Sequence, residues 1–206
     1  MEVGVVRTMT NRLVAGVAGA VALAVVVLPG GTPAGATAGV TEASDEACLV
    51  RAATGRVQCY PSADALLEAV TGEPAEGFST TDLAAPATVA AIESGLAGAA
   101  EAPGFRAPGA PLASVVTAIF YDGTYATGAA LVMEAPGGCD DDSGVEWAWP
   151  TLTPEWRNRI RSGVGYARCD FKVWNHAWYD GAAYGFVASS GYFGALDRAA
   201  NSVRMR

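Results

Sequence analysis

The chain has 206 residues, 51% of them hydrophobic, with 13 basic and 21 acidic side chains and a formal net charge of −8. An acidic chain with a single lysine, Lys172, argues against nucleic-acid binding, which demands clustered Lys and Arg against phosphate. It also argues against docking to anionic lipid.

Arg7 and Arg12 precede an apolar run, Leu13 to Leu28, and then PGGTPAGATAG. Basic, apolar and small-residue segments in that order are the pattern of an export signal, residues 1–36. Cleavage is expected after Ala36 or Ala38. The apolar run is shorter than the about 20 residues a spanning helix needs, so no stable membrane anchor is expected. The expected localisation is secreted, extracellular.

Residues 37–113 read as a small Cys-bearing module. LVRAATGRVQCY predicts a hairpin turned at Thr54-Gly55. Ser62 is placed to cap a helix whose apolar face is Ala65, Leu66, Ala69 and Val70, with Gly72 as its stop. Thr88 to Ala99 predicts a second, weak helix carrying Val89, Ile92 and Leu96. The following EAPGFRAPGAPLAS reads as a linker, because its prolines and glycines break regular structure without supplying a core.

From Ser114 valine, isoleucine and aromatics take over, in runs of five to eight residues broken by Gly and Asp, as expected of strands. Two similar halves are visible, about 114–166 and 167–206. Thr127-Gly128-Ala129-Ala130 matches Asp180-Gly181-Ala182-Ala183, and RNRIRSGV from Arg157 matches DRAANSVR from Asp197. The first half carries a longer insertion around Cys139-Asp-Asp-Asp-Ser-Gly. Each half has room for about four short strands, which suits two Greek keys packed as a sandwich.

Four cysteines in an exported chain allow three pairings. Cys48–Cys59 with Cys139–Cys169 is preferred, because each pair then lies within one module. By the loop-entropy estimate each bridge stabilises by about 3 kcal/mol. A zinc site is disfavoured, since no two cysteines have the short spacing such sites use.

Trp174-x4-Tyr179-x-Gly181, followed by Asp197-Arg198-Ala199-Ala200-Asn201-Ser202, resembles the hairpin and closing box of a βγ-crystallin Greek key. Phe120-x4-Tyr125 with Gly128, one residue inserted, and Arg157-Asn158-Arg159-Ile160-Arg161-Ser162 are similar in the first half. The resemblance implies an all-β fold, a two-Greek-key βγ-crystallin-like sandwich preceded by the helical module. The layout also resembles small exported actinobacterial proteins, and similar proteins of this fold act as metalloproteinase inhibitors or killer toxins. Calcium at paired closing boxes is what the family implies, with Asn158, Asp197, Asn201 and Ser202 as candidate ligands. Calcium wants six to eight oxygens. Arg161 and Arg198 supply none and repel a divalent ion, so calcium is disfavoured and no other cofactor is expected.

The remaining constellations are of low specificity. Asp140, Asp141 and Asp142 make an acidic loop beside Cys139. Trp147 and Trp149 would share one face of a strand, either as an exposed recognition ledge or, more ordinarily, in the core. His176, the one histidine, would need a nucleophile and an orienting acid to act as a general base, and the sequence offers it only scattered serines and no Gly-x-Ser-x-Gly elbow. The expectation is a non-enzymatic protein acting through its surface on an extracellular protein or cell-wall partner, with the insertion from Gly137 to Trp149, carrying Asp140, Asp141, Asp142, Trp147 and Trp149, as the interaction loop. The alternative is an exported hydrolase using paired carboxylates, Glu134 and Glu146 or the Asp140 cluster.

Overall fold

The structure, a computed structural model, describes residues 45–101, 114–140 and 142–206. The expected export signal and its cleavage sites, most of the linker and Asp141 lie outside the described residues.

The chain opens with the expected hairpin. Strands β1 (Ala47–Arg51) and β2 (Val57–Tyr60) pair antiparallel with Cys48 opposite Cys59, and a disulfide joins that pair. Helix α1 (Ala63–Thr71) is capped as expected. The Ser62 hydroxyl accepts from the Ala65 N–H at 3.2 Å, and Gly72 ends the helix at φ 74°, where a side chain would be strained. Its buried face is Ala63, Leu66, Leu67 and Val70, rotated from the expected one. The large side chain Leu67 is buried where Ala65 and Ala69 were expected, because it covers more apolar area. Helix α2 (Pro86–Glu101) begins on a proline, which is tolerated in a first turn, and buries Val89, Ile92 and Leu96 as expected.

Eight further strands follow: β3 (Val115–Tyr121), β4 (Ala130–Ala135), β5 (Trp147–Trp149), β6 (Ser162–Gly165), β7 (Phe171–Trp174), β8 (Ala183–Val187), β9 (Ser189–Ser190) and β10 (Ser202–Met205). They form a six-stranded sheet of order β2-β1-β4-β3-β6-β9 and a four-stranded sheet of order β5-β10-β7-β8. The fold is mainly β, with two sheets and two α-helices among the described residues. The third strand of each half lies in the other half's sheet: β5 pairs with β10, and β9 pairs with β6.

The segment ahead of Ser114 does not stand as a module of its own. Strand β1 runs parallel to β4 along its length, Ala47 opposite Ala130 through Arg51 opposite Glu134. The described residues therefore pack as one body. The physical reason lies in β3 and β4, whose residues are almost all buried, so that both faces of their sheet need cover. One face, with Leu49, Ile119, Tyr121 and Val132, packs under Leu66, Leu67, Ile92 and Leu96 of the helices. The other, with Val50, Ala118, Phe120 and Leu131, faces the second sheet. A bulge between Val116 and Ala118 shifts the alternation of β3, so that Val116 and Ile119 share the helix side.

Between the sheets the core is aromatic. Phe120 and Phe171 meet edge to face at 4.9 Å, and Phe193 lies 5.8 Å from Phe171. Gly163 sits against both Phe120 and Phe171, where a Cβ would fall 2.6 Å from the Phe120 ring. The second disulfide, Cys139–Cys169, ties the insertion of the first half to the start of β7. No helix among the described residues is long and apolar enough to cross a membrane.

Candidate binding surface

The two halves repeat one local design. Tyr121 of β3 pairs with Ala130 and Ser162, just as Trp174 of β7 pairs with Ala183 and Ser202. Gly128 and Gly181 both have φ 78°, and a Cβ at either would strike the side chain of Asp122 or Asn175. Before each glycine come two residues in left-handed conformation: Tyr125 and Ala126 in one hairpin, Trp178 and Tyr179 in the other. The equivalent of Tyr125 is therefore Trp178, and no inserted residue separates the hairpins. The sequence match had aligned Tyr125 with Tyr179 because both are tyrosines; the backbone aligns Ala126 there instead.

Each hairpin is held by a box serine. The Ser162 hydroxyl donates to the Gly123 carbonyl at 2.7 Å and accepts from the Ala126 N–H at 3.1 Å. The Ser202 hydroxyl donates to the His176 carbonyl at 2.7 Å and accepts from the Tyr179 N–H at 3.1 Å. Both serines are buried, so Ser202, a candidate ligand, is committed to the hairpin.

The closing boxes lie against each other. Asn158 (φ 56°) and Arg198 (φ 54°) occupy the same left-handed position in the two boxes. The Asn158 N–H donates to the Ala200 carbonyl at 2.9 Å, and the Arg198 N–H to the Ile160 carbonyl at 3.1 Å. Across this contact the Arg161 guanidinium donates to both carboxylate oxygens of Asp197, at 2.7 and 3.0 Å. The Asn201 amide donates to Asn158 Oδ1 at 2.8 Å and to the Asn175 carbonyl at 2.7 Å. Asp197, Asn158 and Ser202, three of the acceptors expected to face a cation, thus already accept from nitrogen, and a guanidinium sits among them. Hydrogen bonding to Asp197 pushes the Arg161 pKa up and keeps it charged. Arg198 is exposed and acts through its backbone; Arg161 is the cation at the boxes' contact.

The acidic loop is pinned at both ends. The Cys139 N–H donates to the Ala167 carbonyl at 2.9 Å, and the Glu146 N–H to the Met205 carbonyl at 3.1 Å. Between them Asp140 and Asp142 are exposed, and their carboxylate oxygens come within 4.8 Å of each other and of Glu146. Glu134, the other half of the expected carboxylate pair, is buried in β4 of the opposite sheet, and the acids that converge are Asp140, Asp142 and Glu146. All four cysteines are consumed by the two disulfides, so no thiolate remains for a metal.

Loss of hydration, and then repulsion from Asp140 and Asp142, pushes the Glu146 carboxyl above its ordinary range. An acid with a raised folded-state pKa binds its proton more tightly folded than unfolded. Stability should therefore fall as pH rises from the ordinary value of 4.5 through the raised one, and stay lowered above it. Glu146→Gln is expected to flatten that segment of a plot of urea midpoint against pH. An unchanged profile would contradict the assignment.

Trp147 and Trp149 do share a face, and it is the inner one. Trp149 is buried opposite Val203, and Trp147, half-buried opposite Met205, packs on the same core. They form no exposed ledge. The aromatics that do face solvent among the described residues are Tyr125, 78% exposed, Trp178, 75%, Tyr192 and, outside the two halves, Phe78. The sequence signal for the first two is their place in YATG and WYDG, just before the hairpin glycine. His176 is exposed in the same hairpin, its Nδ1 3.7 Å from the Asp180 carboxylate.

No family model, curated protein or solved structure matches this chain.

Proposed function

We propose that the protein is an exported, non-enzymatic binding protein with a βγ-crystallin-like sandwich of two Greek keys. The exchange of third strands between two equivalent hairpin-and-box units supports the fold reading. The functional reading is carried by the loop between Cys139 and Trp147. It is tied by a disulfide at one end and by the Glu146 N–H at the other, and it presents Val145, 44% exposed, on a rigid scaffold. A segment ordered before binding loses little entropy when it docks, which is how a protease-inhibitor loop gains affinity. Incubation of the purified protein with a panel of metalloproteases is the direct test. Proteolysis undiminished at micromolar concentrations of the protein would end the inhibitor reading.

The same proposal holds the closing boxes independent of calcium, since the Arg161–Asp197 pair fills their contact. Unfolding midpoints of the native protein should be equal in calcium and in chelator. In Arg161→Ser, which frees Asp197 and adds a hydroxyl, calcium at ten times its Kd should stabilise by about 1.4 kcal/mol. That corresponds to about 3–6 °C in Tm for a fold of this size. A calcium shift in the native protein would refute the lock.

A hydrolase reading has one observation in its favour, the raised Glu146 carboxyl with Asp140 and Asp142 close beside it. Turnover of a soluble polysaccharide, abolished in Glu146→Gln, would establish it.

A further inference from the structure

We propose that the outer face of the four-stranded sheet is a docking strip for an anionic polysaccharide. The proposal rests on the reading that the protein acts through its surface, and it names a second partner class for a face distant in role from the loop. Along β10 and β7 the inward residues Val203, Met205, Phe171 and Val173 are fully buried, so the alternate positions point outward. Those outward positions carry Lys172, Arg204 and Arg206, in a chain whose net charge is −8 and whose single lysine is one of them.

Each cation lies over an aromatic ring. Arg204 stacks 3.8 Å from the centroid of Tyr179, Arg206 lies 4.3 Å from that of Phe186, and the Lys172 ammonium is 5.0 Å from that of Trp174. None of the three forms an ion pair within 4.0 Å among the described residues. Asp170 stands opposite Arg206 in the sheet, yet the guanidinium turns to the ring instead. Arg204 Nε is shielded from solvent without a hydrogen-bond partner, so a docked anion would meet the terminal nitrogens of that guanidinium. Lys172 and Arg204 are also directly opposite each other across the strands, a placement that costs stability for like charges. A guanidinium held flat on a ring keeps its in-plane N–H donors free at the edge, the geometry a carboxylate takes.

Charge complementarity therefore calls for an anion, and the spacing calls for a polymer. Neighbouring strands are about 4.8 Å apart and alternate residues along one strand about 6.7 Å, so the three cations span one or two sugar units. The outward neighbours Ala148, Ala183 and Gly185 are small, so between the cations and their rings the strands offer few side chains to grip a peptide. Flat rings bearing one carboxylate each suit it better than a polypeptide. At 0.1 M salt the Debye length is about 10 Å, so the strip is felt by a docked chain while the acids of other faces are screened.

The test is calorimetric titration of the full-length exported protein with polygalacturonate at 0.1 M salt, with neutral dextran and poly-L-glutamate as comparisons. Polygalacturonate should bind, dextran should not, and poly-L-glutamate should bind more weakly. Arg204→Gln with Arg206→Gln should weaken binding about tenfold or more, the scale of one charge-assisted hydrogen bond. Lys172→Gln should weaken binding while leaving the unfolding midpoint equal or higher, because it removes the like-charge pair. Absence of polygalacturonate binding, equal binding by the double variant, or preference for poly-L-glutamate would each overturn the proposal. Metalloprotease inhibition, measured on the same variants, should be unaffected. Its loss in the native protein would overturn the loop reading alone and leave the strip standing.

Discussion

Replacing Phe171 by alanine is expected to destabilise the fold by about 3–5 kcal/mol, the cost of removing a buried aromatic ring and leaving part of its volume empty. Phe171 is fully buried at the centre of the sandwich, with Phe120 at 4.9 Å and Phe193 at 5.8 Å. Collapse into the vacancy is restricted, because Phe120 comes from one sheet and Phe171 from the other, and Gly163, with no side chain, has nothing to move into the space its neighbours' rings leave. For a fold of this length each kcal/mol lowers Tm by about 2–4 °C, so a fall on the order of 10 °C is expected. Phe171→Leu should recover much of the loss, since it keeps most of the apolar volume. The contrasting variant is Trp178→Ala. Although larger, that ring is 75% exposed, and its removal should change stability by no more than about 0.5 kcal/mol. Urea unfolding of the three variants checks the series. A Phe171→Ala loss below that of Trp178→Ala would mean the core is not where the aromatic cluster places it.

That contrast also marks what was legible in the sequence. Phe171, Trp149 and Trp178 are all aromatics in short strand-like runs, and composition cannot say which of them points inward. Local chemistry was readable: the Thr54-Gly55 hairpin, the Ser62 cap, the Gly72 stop and the glycines of both hairpins all depend on neighbours in sequence, and the disulfide pairing followed from keeping each pair within one stretch of chain. The matching box serines were visible as a repeat, though not as the clamps on Gly123 and His176 that they prove to be. What could not be read depends on contacts between distant segments. The parallel pairing of β1 with β4 joins residues on either side of a proline-rich stretch, which reads as a boundary. Its one trace is the unbroken apolar run of VVTAIFY, too hydrophobic for a sheet solvated on one face. The Arg161–Asp197 pair is invisible until the exchanged strands bring the two boxes together. In sequence Arg161 looked only like a lost ligand; in the fold it takes the place of a cation.

Removing the Cys139–Cys169 bridge by the double substitution to serine should cost about 3–4 kcal/mol by the loop-entropy relation, for a sequence separation of 30 residues. The Cys48–Cys59 bridge closes a separation of only 11 and should cost less, about 2–3 kcal/mol by the same relation. The order of the two carries the argument, because local context modifies each number. Cys48 is fully buried and Cys59 faces solvent, within a hairpin already paired through four residues, so the short bridge reinforces contacts that form anyway. The long bridge instead closes the first half's insertion onto β7, and between Cys139 and Trp147 the loop's main backbone anchors are the N–H groups of Cys139 and Glu146. Its loss should therefore also loosen the loop. Amide exchange from 140 to 146 should rise in that variant even under conditions where the fold stays intact, and any protease inhibition should weaken with it. Equal unfolding midpoints for the two double-serine variants would show that the backbone anchors alone hold the insertion. The rigidity on which the binding proposal rests would then come from the sheet and not from the sulfur.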